Sequence, residues 1–288
     1  MMEPKRCFLT RGIFSFSLIL FLVNLAQAEI TNCTAITSLP YTISSQGTYC
    51  LTGNLSMSTA SGNAIQINAG NVVLDLNGYT IGGSQAGAGT NAYGIYAYQR
   101  KNITIRNGTV RGFNQGIWLN DDSPYTTSQG HIIENIRADR NTIYGIVLYG
   151  LGNIIRNNLV VSTGGNSYNS HPHGVLVSGS GNRVINNDVC ETKENGSGQN
   201  AYGIYATNAS GLVVENNRVG NAAIGPGTSY GIYIEDSYNA MVKDNTISKM
   251  TYGIYYDGSS GLYMNNLASG CTHDFTNGTP AGTTNYSN

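Results

Sequence analysis

The segment "HPHG" at residues 171–174 places two of the four histidines of this chain close together. An imidazole titrates near neutral pH, which suits general acid and base catalysis. We therefore predict His173 as a base that removes the proton next to a uronate carboxylate, with His171 beside it. This step needs a nearby cation as charge develops, and Arg140 and Lys193 are the candidates. The alternative is that both histidines are idle surface residues.

Carboxylates offer a second kind of chemistry. Asp121 and Asp122 are adjacent in a polar stretch, and paired carboxylates divide the acid and base roles in glycoside cleavage. The alternative is that they cap a turn. Glu235, Asp236 and Asp257 bring oxygen ligands that suit Ca²⁺, but the sequence contains no dense ligand cluster. We predict no metal site, and the sequence leaves the need for a cofactor unknown.

A repeat must position these side chains. Glycine followed by an aliphatic residue recurs at Gly94, Gly116, Gly145, Gly174, Gly203, Gly231 and Gly253, at intervals of 22, 29, 29, 29, 28 and 22 residues. Each repeat holds short alternating segments, such as "GIYIE" and "AMVKDNTI", which are too short for helices and predict strands. Three short strands and three bends in 22 residues predict one rung of a parallel β-helix.

Other repeat folds fit less well. A propeller blade needs four antiparallel strands and about 40 residues, and a leucine-rich repeat needs leucines that are absent here. We therefore predict an all-β fold, a right-handed single-stranded parallel β-helix with an N-terminal cap. The aliphatic residues after the glycines should stack inside it, namely Ile95, Ile117, Ile146, Val175, Ile204, Ile232 and Ile254. Asparagine favours left-handed corners, so we expect a structural ladder of Asn107, Asn157, Asn186, Asn216 and Asn265.

Aromatic side chains recur at the outward position two residues after the glycine. They are Tyr96, Trp118, Tyr205, Tyr233 and Tyr255, with Val147 and Leu176 at the same phase. We predict that these aromatic residues bind a polysaccharide, because aromatic rings pack well on the apolar faces of sugars. The alternative is that tyrosine simply favours strands. Surplus residues at 162–172, 191–200 and 221–229 precede consecutive Gly-aliphatic strands, so we expect one wall beside this face.

The termini and cysteines indicate export. Residues 1–28 have basic residues, the apolar run "IFSFSLILFLV" and then "AQA", the pattern of a cleaved secretory signal, with an uncleaved anchor as the alternative. We expect an N-terminal cap at 29–62, the β-helix at 63–269 and a C-terminal tail or cap at 270–288. Cys33 and Cys50 are predicted to form a disulfide in the cap, and the pairing of Cys190 and Cys271 stays open.

The charge balance narrows the range of partners. Without residues 1–28, the 15 basic and 16 acidic residues become 12 and 15, a net charge of −3. A mildly acidic chain argues against nucleic acid and, after signal cleavage, against a membrane surface as the partner. We predict a secreted or periplasmic protein.

The repeats from about Asn63 to Ser269 resemble those of the pectin-lyase-like superfamily of parallel β-helix proteins. The segments "LPYTISSQGTYCLTGNLS" and "AIQINAGNVVLDLNGYTI" are similar to the entry turns of such bacterial proteins. The resemblance implies the fold and a carbohydrate-binding or sugar-modifying role. Mannuronan C5-epimerases of this superfamily carry an Asp-Pro-His-Asp motif. Pro172 and His173 match it here, whereas His171 and Gly174 replace its two acids.

These observations predict an exported β-helix that binds a polysaccharide along its Gly-aliphatic face, with polysaccharide lyase, uronate epimerase or glycoside hydrolase chemistry left open. The alternative is a non-catalytic surface, adhesion or structural solenoid. A walled groove that holds His173, a nearby cation and aromatic rings would favour catalysis, whereas a flat face would favour the scaffold.

Overall fold

The protein is a coil of parallel β-strands. The structure is a computed structural model that describes residues 32–84, 89–165, 171–194, 198–282 and 284–287. Within these residues every strand pair is parallel, and each strand pairs with its equivalent in the next turn of the coil, here called a rung. The predicted parallel β-helix is confirmed, and its strands lie on three faces.

The first face is a ten-stranded sheet that contains the Gly-aliphatic repeats, and we call it the Gly-aliphatic sheet. Its strands are Tyr41–Ile43, Asn63–Ile67, Tyr93–Tyr98, Gln115–Asn120, Tyr144–Tyr149, His173–Ser178, Asn200–Thr207, Thr228–Glu235, Tyr252–Asp257 and His273–Thr276.

The other two faces share nineteen strands, because two long strands turn the corner between them. The second face comprises Thr34–Ile36, Gly47–Leu51, Val72–Asp75, Ile154–Arg156, Arg183–Ile185, Val213–Glu215, Ala240–Lys243, Gly261–Met264 and Thr279–Pro280. The third face comprises Leu55–Ser56, Thr80–Gly82, Leu159–Val161, Asp188–Cys190, Arg218–Gly220, Thr246–Ser248, Leu267–Ser269 and Tyr286–Ser287. Ile103–Arg111 and Ile132–Asp139 run through both faces.

The core is a set of aliphatic columns that run along the coil axis. The column that follows the glycines is in register from rung to rung and is at most 1% exposed, which confirms that part of the prediction. Valines and isoleucines from the other two faces, such as Val184 and Val214 of the second and Val219 of the third, fill the rest of the interior. The interior is therefore packed with side chains.

The repeated glycine is required by close approach between rungs. A Cβ atom at Gly203 would lie 2.3 Å from Cγ1 of Val219 and 2.7 Å from the carbonyl oxygen of Gly231. Equivalent collisions would occur at Gly94, Gly145, Gly174 and Gly231. Real Cβ atoms do not approach other atoms so closely, so these positions exclude any larger residue unless the backbone moves.

The second and third faces meet at a corner formed by two consecutive residues, usually both asparagine, and the two have different roles. The first residue of each pair, such as Asn157 or Asn216, has a positive φ near 55° and faces solvent. The residue after it is buried, and its side chain bonds the next rung. The side-chain oxygen Oδ1 of Asn217 accepts the backbone N–H of Asn187 at 2.9 Å, and the backbone N–H of Asn217 donates to Oδ1 of Asn245 at 2.9 Å.

The predicted ladder was therefore displaced by one residue. The buried ladder consists of Asn158, Asn187, Asn217, Asn245 and Asn266. The predicted residues form the bend, because left-handed backbone points their side chains outward. Some of them still bond each other at the surface, as Asn216 does to Asn186 at 2.8 Å.

The first rungs are tied by the predicted disulfide between Cys33 and Cys50. Cys190 and Cys271 are free thiols. The strands before residue 62 and after residue 270 pair in parallel with their neighbours, and the boundaries of the cap and tail stay predictions. The expected signal, residues 1–28, lies outside the described residues. In the described part of the chain, no helix is long and apolar enough to span a membrane.

Replacing Ile204 by Ala should lower the free energy of unfolding by about 2 to 5 kcal/mol, because Ile204 is fully buried and its loss leaves a cavity. Denaturant unfolding followed by circular dichroism measures the change. Ile224→Ala is the matched control, since Ile224 is 42% exposed. An equal effect of the two substitutions would show that the register is wrong.

Replacing Asn217 by Ala should cost about 1 to 3 kcal/mol for each buried polar group left without a partner. Those groups include the backbone N–H of Asn187 and the carbonyl of Val184. Asn216→Gly is the control, because glycine tolerates the positive φ of that exposed corner. The same unfolding assay applies, and a loss no larger than that of the control would argue against the ladder.

Candidate functional site

The predicted aromatic column lies on the outer surface of the Gly-aliphatic sheet. Tyr96 pairs in register with Trp118, and Tyr205 pairs with Tyr233, which pairs with Tyr255. The Tyr205 and Tyr233 rings are 5.4 Å apart, as are those of Tyr233 and Tyr255. The platform predicted from Tyr205 and Tyr233 therefore exists and continues for another rung.

A second aromatic row lies beside the first, formed by residues that precede the glycines and, on the last rung, by His273. From His173 onward it is continuous, and its members are His173, Tyr202, Tyr230, Tyr252 and His273. Successive ring centroids are 4.8, 5.1, 5.1 and 4.8 Å apart, with interplanar angles of 9 to 19°. Tyr230 also touches Tyr233 of the first row at 4.8 Å. We call the two rows from His173 to His273 the aromatic face.

Strict alternation hides the second row. If the residue after glycine points inward, alternation places the residue before glycine inside as well. In the structure the glycine and the residue after it are both buried, so the phase shifts by one at the glycine. The repeated letters "YG" and "HG" were the signal available in the sequence.

A smaller cluster lies toward the N-terminal end of the same sheet. Tyr93 contacts Tyr96 and Trp118 at centroid distances of 5.8 and 5.2 Å. Between this cluster and the aromatic face, Val147 and Leu176 occupy the first row and are almost fully buried. The predicted aromatic stripe is thus divided into two parts.

Carboxylates border the aromatic face on the side where the strands end. The hydroxyl of Tyr205 donates to Glu235, and that of Tyr233 donates to Asp257 at 2.6 Å. Glu235 and Asp257 are neighbours in register on successive rungs. Burial and these carboxylates raise the pKa of both phenols, so the phenols stay protonated and keep donating.

The predicted wall forms a border on the opposite side, where the strands begin. The N–H of Lys193 donates to Thr163 at 3.0 Å, and that of Gly227 donates to the Glu194 carboxylate at 2.9 Å. The N–H of Thr228 donates to Gln199 at 3.1 Å. The surplus segments therefore bond one another along the axis, as expected. Residues 166–170 and 195–197 of this wall lie outside the described residues.

His173 lies in the second row and is covered. Its ring contacts Tyr144 at 5.0 Å and Tyr202 at 4.8 Å, and only 7% of the residue is exposed. Burial lowers the pKa of His173 to about 3, against a smaller opposing effect of the His171 backbone. The imidazole is therefore neutral at physiological pH and is screened from solvent.

The other predicted catalytic residues have different surroundings. Nδ1 of His171 accepts the backbone N–H of Asn200 at 2.8 Å, so His171 helps to join two wall segments. Arg140 is exposed in a surface cleft with Thr142, Ser162 and Gly164. Within the described residues, no hydrogen bond or ion pair joins Arg140 or Lys193 to His173. The catalytic assignment of His173, His171 and Arg140 stays a prediction.

The Asp121–Asp122 pair is used for local structure. Asp121 is 3% exposed and accepts the backbone N–H groups of Thr127 and Ser128, both at 2.9 Å, so it caps the loop. Asp122 accepts the hydroxyl of Tyr98. Across the described ranges, no cluster of three or more His, Cys, Asp or Glu residues has the arrangement of a metal site.

A buried Ser-His contact near this loop is also structural. Ser128 Oγ lies 2.7 Å from His131 Nε2, while Nδ1 of His131 accepts the backbone N–H of Ile103 at 3.0 Å. The neutral ring must therefore carry its proton on Nε2 and donate it to Ser128. This tautomer cannot deprotonate the serine, so the pair is not a nucleophile with its base.

Comparison with known proteins supports the fold. The family model described as "Right handed beta helix region" matches residues 166–287. The enzymatically active domain of tailspike protein 2 of bacteriophage CBA120 is similar with a TM-score of 0.60 and 17% identity, over 88% of this chain and 42% of that one. The Dettilon tailspike protein is similar with a TM-score of 0.60 and 16% identity, over 82% of this chain and 47% of that one.

The A-module of a mannuronan C-5 epimerase from Azotobacter vinelandii gives a TM-score of 0.46 and 18% identity, over 88% of this chain and 91% of that module. No curated protein matches the sequence significantly. This chain spans less than half of the tailspike structures, and identities below one fifth show the fold alone. The coil is a right-handed parallel β-helix.

Lowering the pH from about 6.5 to 5 should destabilise the protein through its two buried histidines. Burial lowers the pKa of His131 to about 4 and that of His173 to about 3, whereas an unfolded histidine titrates near 6.5. Below pH 6.5 the unfolded chain therefore binds protons that the folded chain does not, and stability falls by up to about 1.4 kcal/mol per pH unit for each residue.

Denaturant unfolding at several pH values in this window measures the slope. His131→Asn removes one of the two titrating groups and leaves a polar side chain next to the backbone N–H of Ile103 and the hydroxyl of Ser128. The slope of this variant should be about half as steep. An unchanged slope in this variant would exclude His131 as a source of the pH dependence.

Proposed function

We propose that this right-handed parallel β-helix binds a polysaccharide along its aromatic face. The observation that carries the proposal is the row of five stacked rings from His173 to His273, one on each of five successive strands of one sheet. Tyr205, Tyr233 and Tyr255 lie beside this row on the middle three strands. Tyrosine rings that keep one edge in water suit a ligand with apolar faces and polar edges. Sugar rings have both.

The geometry favours a linear polymer over a single sugar. The rings repeat with the spacing of the rungs, about 4.8 Å, so equivalent contacts recur along the axis. The wall and the carboxylates Glu235 and Asp257 border the two sides of this surface. Carboxylates accept hydrogen bonds from sugar hydroxyls, while the rings pack against C–H groups. A chain that lies along the axis would meet paired tyrosine rings on three successive rungs.

The fold similarity to the tailspike proteins is compatible with this function but does not carry it, because function resides in the site and not in the fold. Tyr96, Trp118, Tyr205, Tyr233 and Tyr255 remain the predicted contacts. The structure adds Tyr202, Tyr230 and Tyr252 to the proposal. These residues flank the first row, and each remains partly exposed.

We place this function outside the cytoplasm. The expected signal at residues 1–28 and the Cys33–Cys50 disulfide support export, because disulfides persist in oxidising compartments. A secreted or periplasmic location would also bring the aromatic face into contact with extracellular or envelope glycans.

The proposal is for binding and does not include a chemical step. A lyase or epimerase step at His173 would need the imidazole to reach substrate, and its ring is covered by Tyr144 and Tyr202. It would also need a cation, and the described residues offer none in contact with His173. Release of unsaturated sugars from a uronate polymer, lost in His173→Ala, would add catalysis to this function.

Replacing Tyr205 by Ala should weaken polysaccharide binding by about tenfold, because the platform loses a ring that touches His173, Tyr202 and Tyr233. A glycan array followed by affinity electrophoresis with the bound polymer measures this. Tyr238→Ala is the control, since Tyr238 is 56% exposed and lies outside the sheet. Equal loss in both variants, or no loss in either, would reject the platform.

A single substitution is preferable to the double change of Tyr205 and Tyr233. Tyr233 is only 8% exposed, so its loss would also destabilise the coil. Tyr233 points outward as expected, but the neighbouring rings of Tyr202, Tyr230 and Tyr255 cover it. Tyr205→Phe keeps the stacked ring and removes only the hydroxyl that donates to Glu235, so it should bind more tightly than Tyr205→Ala.

A further inference from the structure

The distribution of charge over the three faces is uneven. All twelve Lys and Arg residues after position 28 lie outside the ten strands of the Gly-aliphatic sheet. Those strands contain the carboxylates Glu235, Asp257 and Asp274. The two histidines among them, His173 and His273, end the stacked row, and burial keeps His173 neutral.

Seven of these cations lie in strands of the other two faces. Four of them pair with acids of the preceding rung: Arg106 with Asp75 at 2.8 Å, Arg156 with Glu134 at 2.6 Å, Arg218 with Asp188 at 2.8 Å and Lys243 with Glu215 at 2.8 Å. Register alone brings these opposite charges together.

Cations at the borders of the Gly-aliphatic sheet are bound to other groups or lie on earlier rungs. Lys193 of the wall pairs with Glu191, and Lys249 donates to the carbonyl of the wall residue Ala222 at 2.9 Å. Arg140 is exposed two rungs before Tyr205. Arg100 and Lys101 follow the strand Tyr93–Tyr98, below the rungs of the aromatic face. A ligand on Tyr205 and Tyr233 would therefore meet Glu235 and Asp257 as its nearest formal charges.

From this distribution we infer that the aromatic face selects glycans without carboxylate or sulfate groups and rejects acidic polymers. The inference rests on the proposed function and names its substrate class. Two like charges a few ångströms apart repel strongly where water is partly excluded. Sugar hydroxyls have the opposite preference, because they donate hydrogen bonds to carboxylates. A polyuronate would place a negative charge on every residue beside this acidic border.

The consequence for the predicted chemistry is direct. A base that acts next to a uronate carboxylate requires a site that attracts that carboxylate. The aromatic face is bordered by groups of the same charge as that carboxylate, so the uronate expected from the sequence is the class that this surface excludes.

The test is a glycan array that contains neutral, amino-sugar and acidic polymers, probed with the wild-type protein and with Tyr205→Ala. It includes polygalacturonate and its methyl ester, which share one backbone and differ in charge. We expect the glycans whose binding is lost in Tyr205→Ala to be non-acidic. We also expect the methyl ester to bind at least about tenfold more tightly than the free acid at low ionic strength.

Glu235→Gln combined with Asp257→Asn removes the charge and keeps acceptors for the two tyrosine hydroxyls. This variant should bind acidic polymers about tenfold more tightly than the wild type. Glu215→Gln is the control, because Glu215 lies on the second face and pairs with Lys243 there. The Glu215→Gln variant should prefer non-acidic over acidic polymers to the same degree as the wild type.

The outcomes separate the two proposals. Acidic glycans bound in a Tyr205-dependent way would overturn the charge selection and leave the binding function in place. Neutral glycans whose binding depends on Tyr205 would support both the binding function and the charge selection. An array without any bound glycan would overturn the proposed function, and the substrate class would fall with it.

Discussion

Every described strand of this protein hydrogen-bonds in parallel to the equivalent strand of a neighbouring rung, in register. This pairing places each side chain directly above its counterpart, so a residue is constrained mainly by residues one rung away, which are 15 to 31 positions distant in the sequence. Isoleucine stacks on isoleucine inside the coil, amide on amide at the corner, and ring on ring at the surface. The hydrophobic column holds the coil together, and the same register builds the aromatic face.

The sequence predicted the features that follow from periodicity. The Gly-aliphatic interval located the strands, and alternation after the glycine placed Ile204 and Ile232 inside and Tyr205 and Tyr233 outside. The row of Tyr202, Tyr230 and Tyr252 was missed, because the phase change at the glycine depends on backbone contact with the next rung. The amide ladder was placed one residue early for a related reason. Both residues of a pair such as Asn216–Asn217 are asparagine, and only the geometry shows which one is buried.

His173 illustrates a different limit of sequence-based inference. Its residue type and its neighbour His171 suggested acid and base chemistry. Its accessibility, however, is set by Tyr144 and Tyr202, which lie 29 residues away on either side. Stacking in the row buries the imidazole and lowers its pKa, so the histidine behaves as one more flat ring. The same interaction that favours a binding surface removes the best candidate for a catalytic base.

The glycine column has a consequence for how such a chain can change. Because a Cβ atom at Gly203 would strike the carbonyl of Gly231, the glycine is imposed by the rung above it. A larger residue there would act as a wedge that separates two rungs, with every ladder interrupted at that level. Substitutions at these positions should therefore divide the coil into two shorter segments. The loops between the strands carry no such condition, and sequence variation can accumulate there while the coil stays whole.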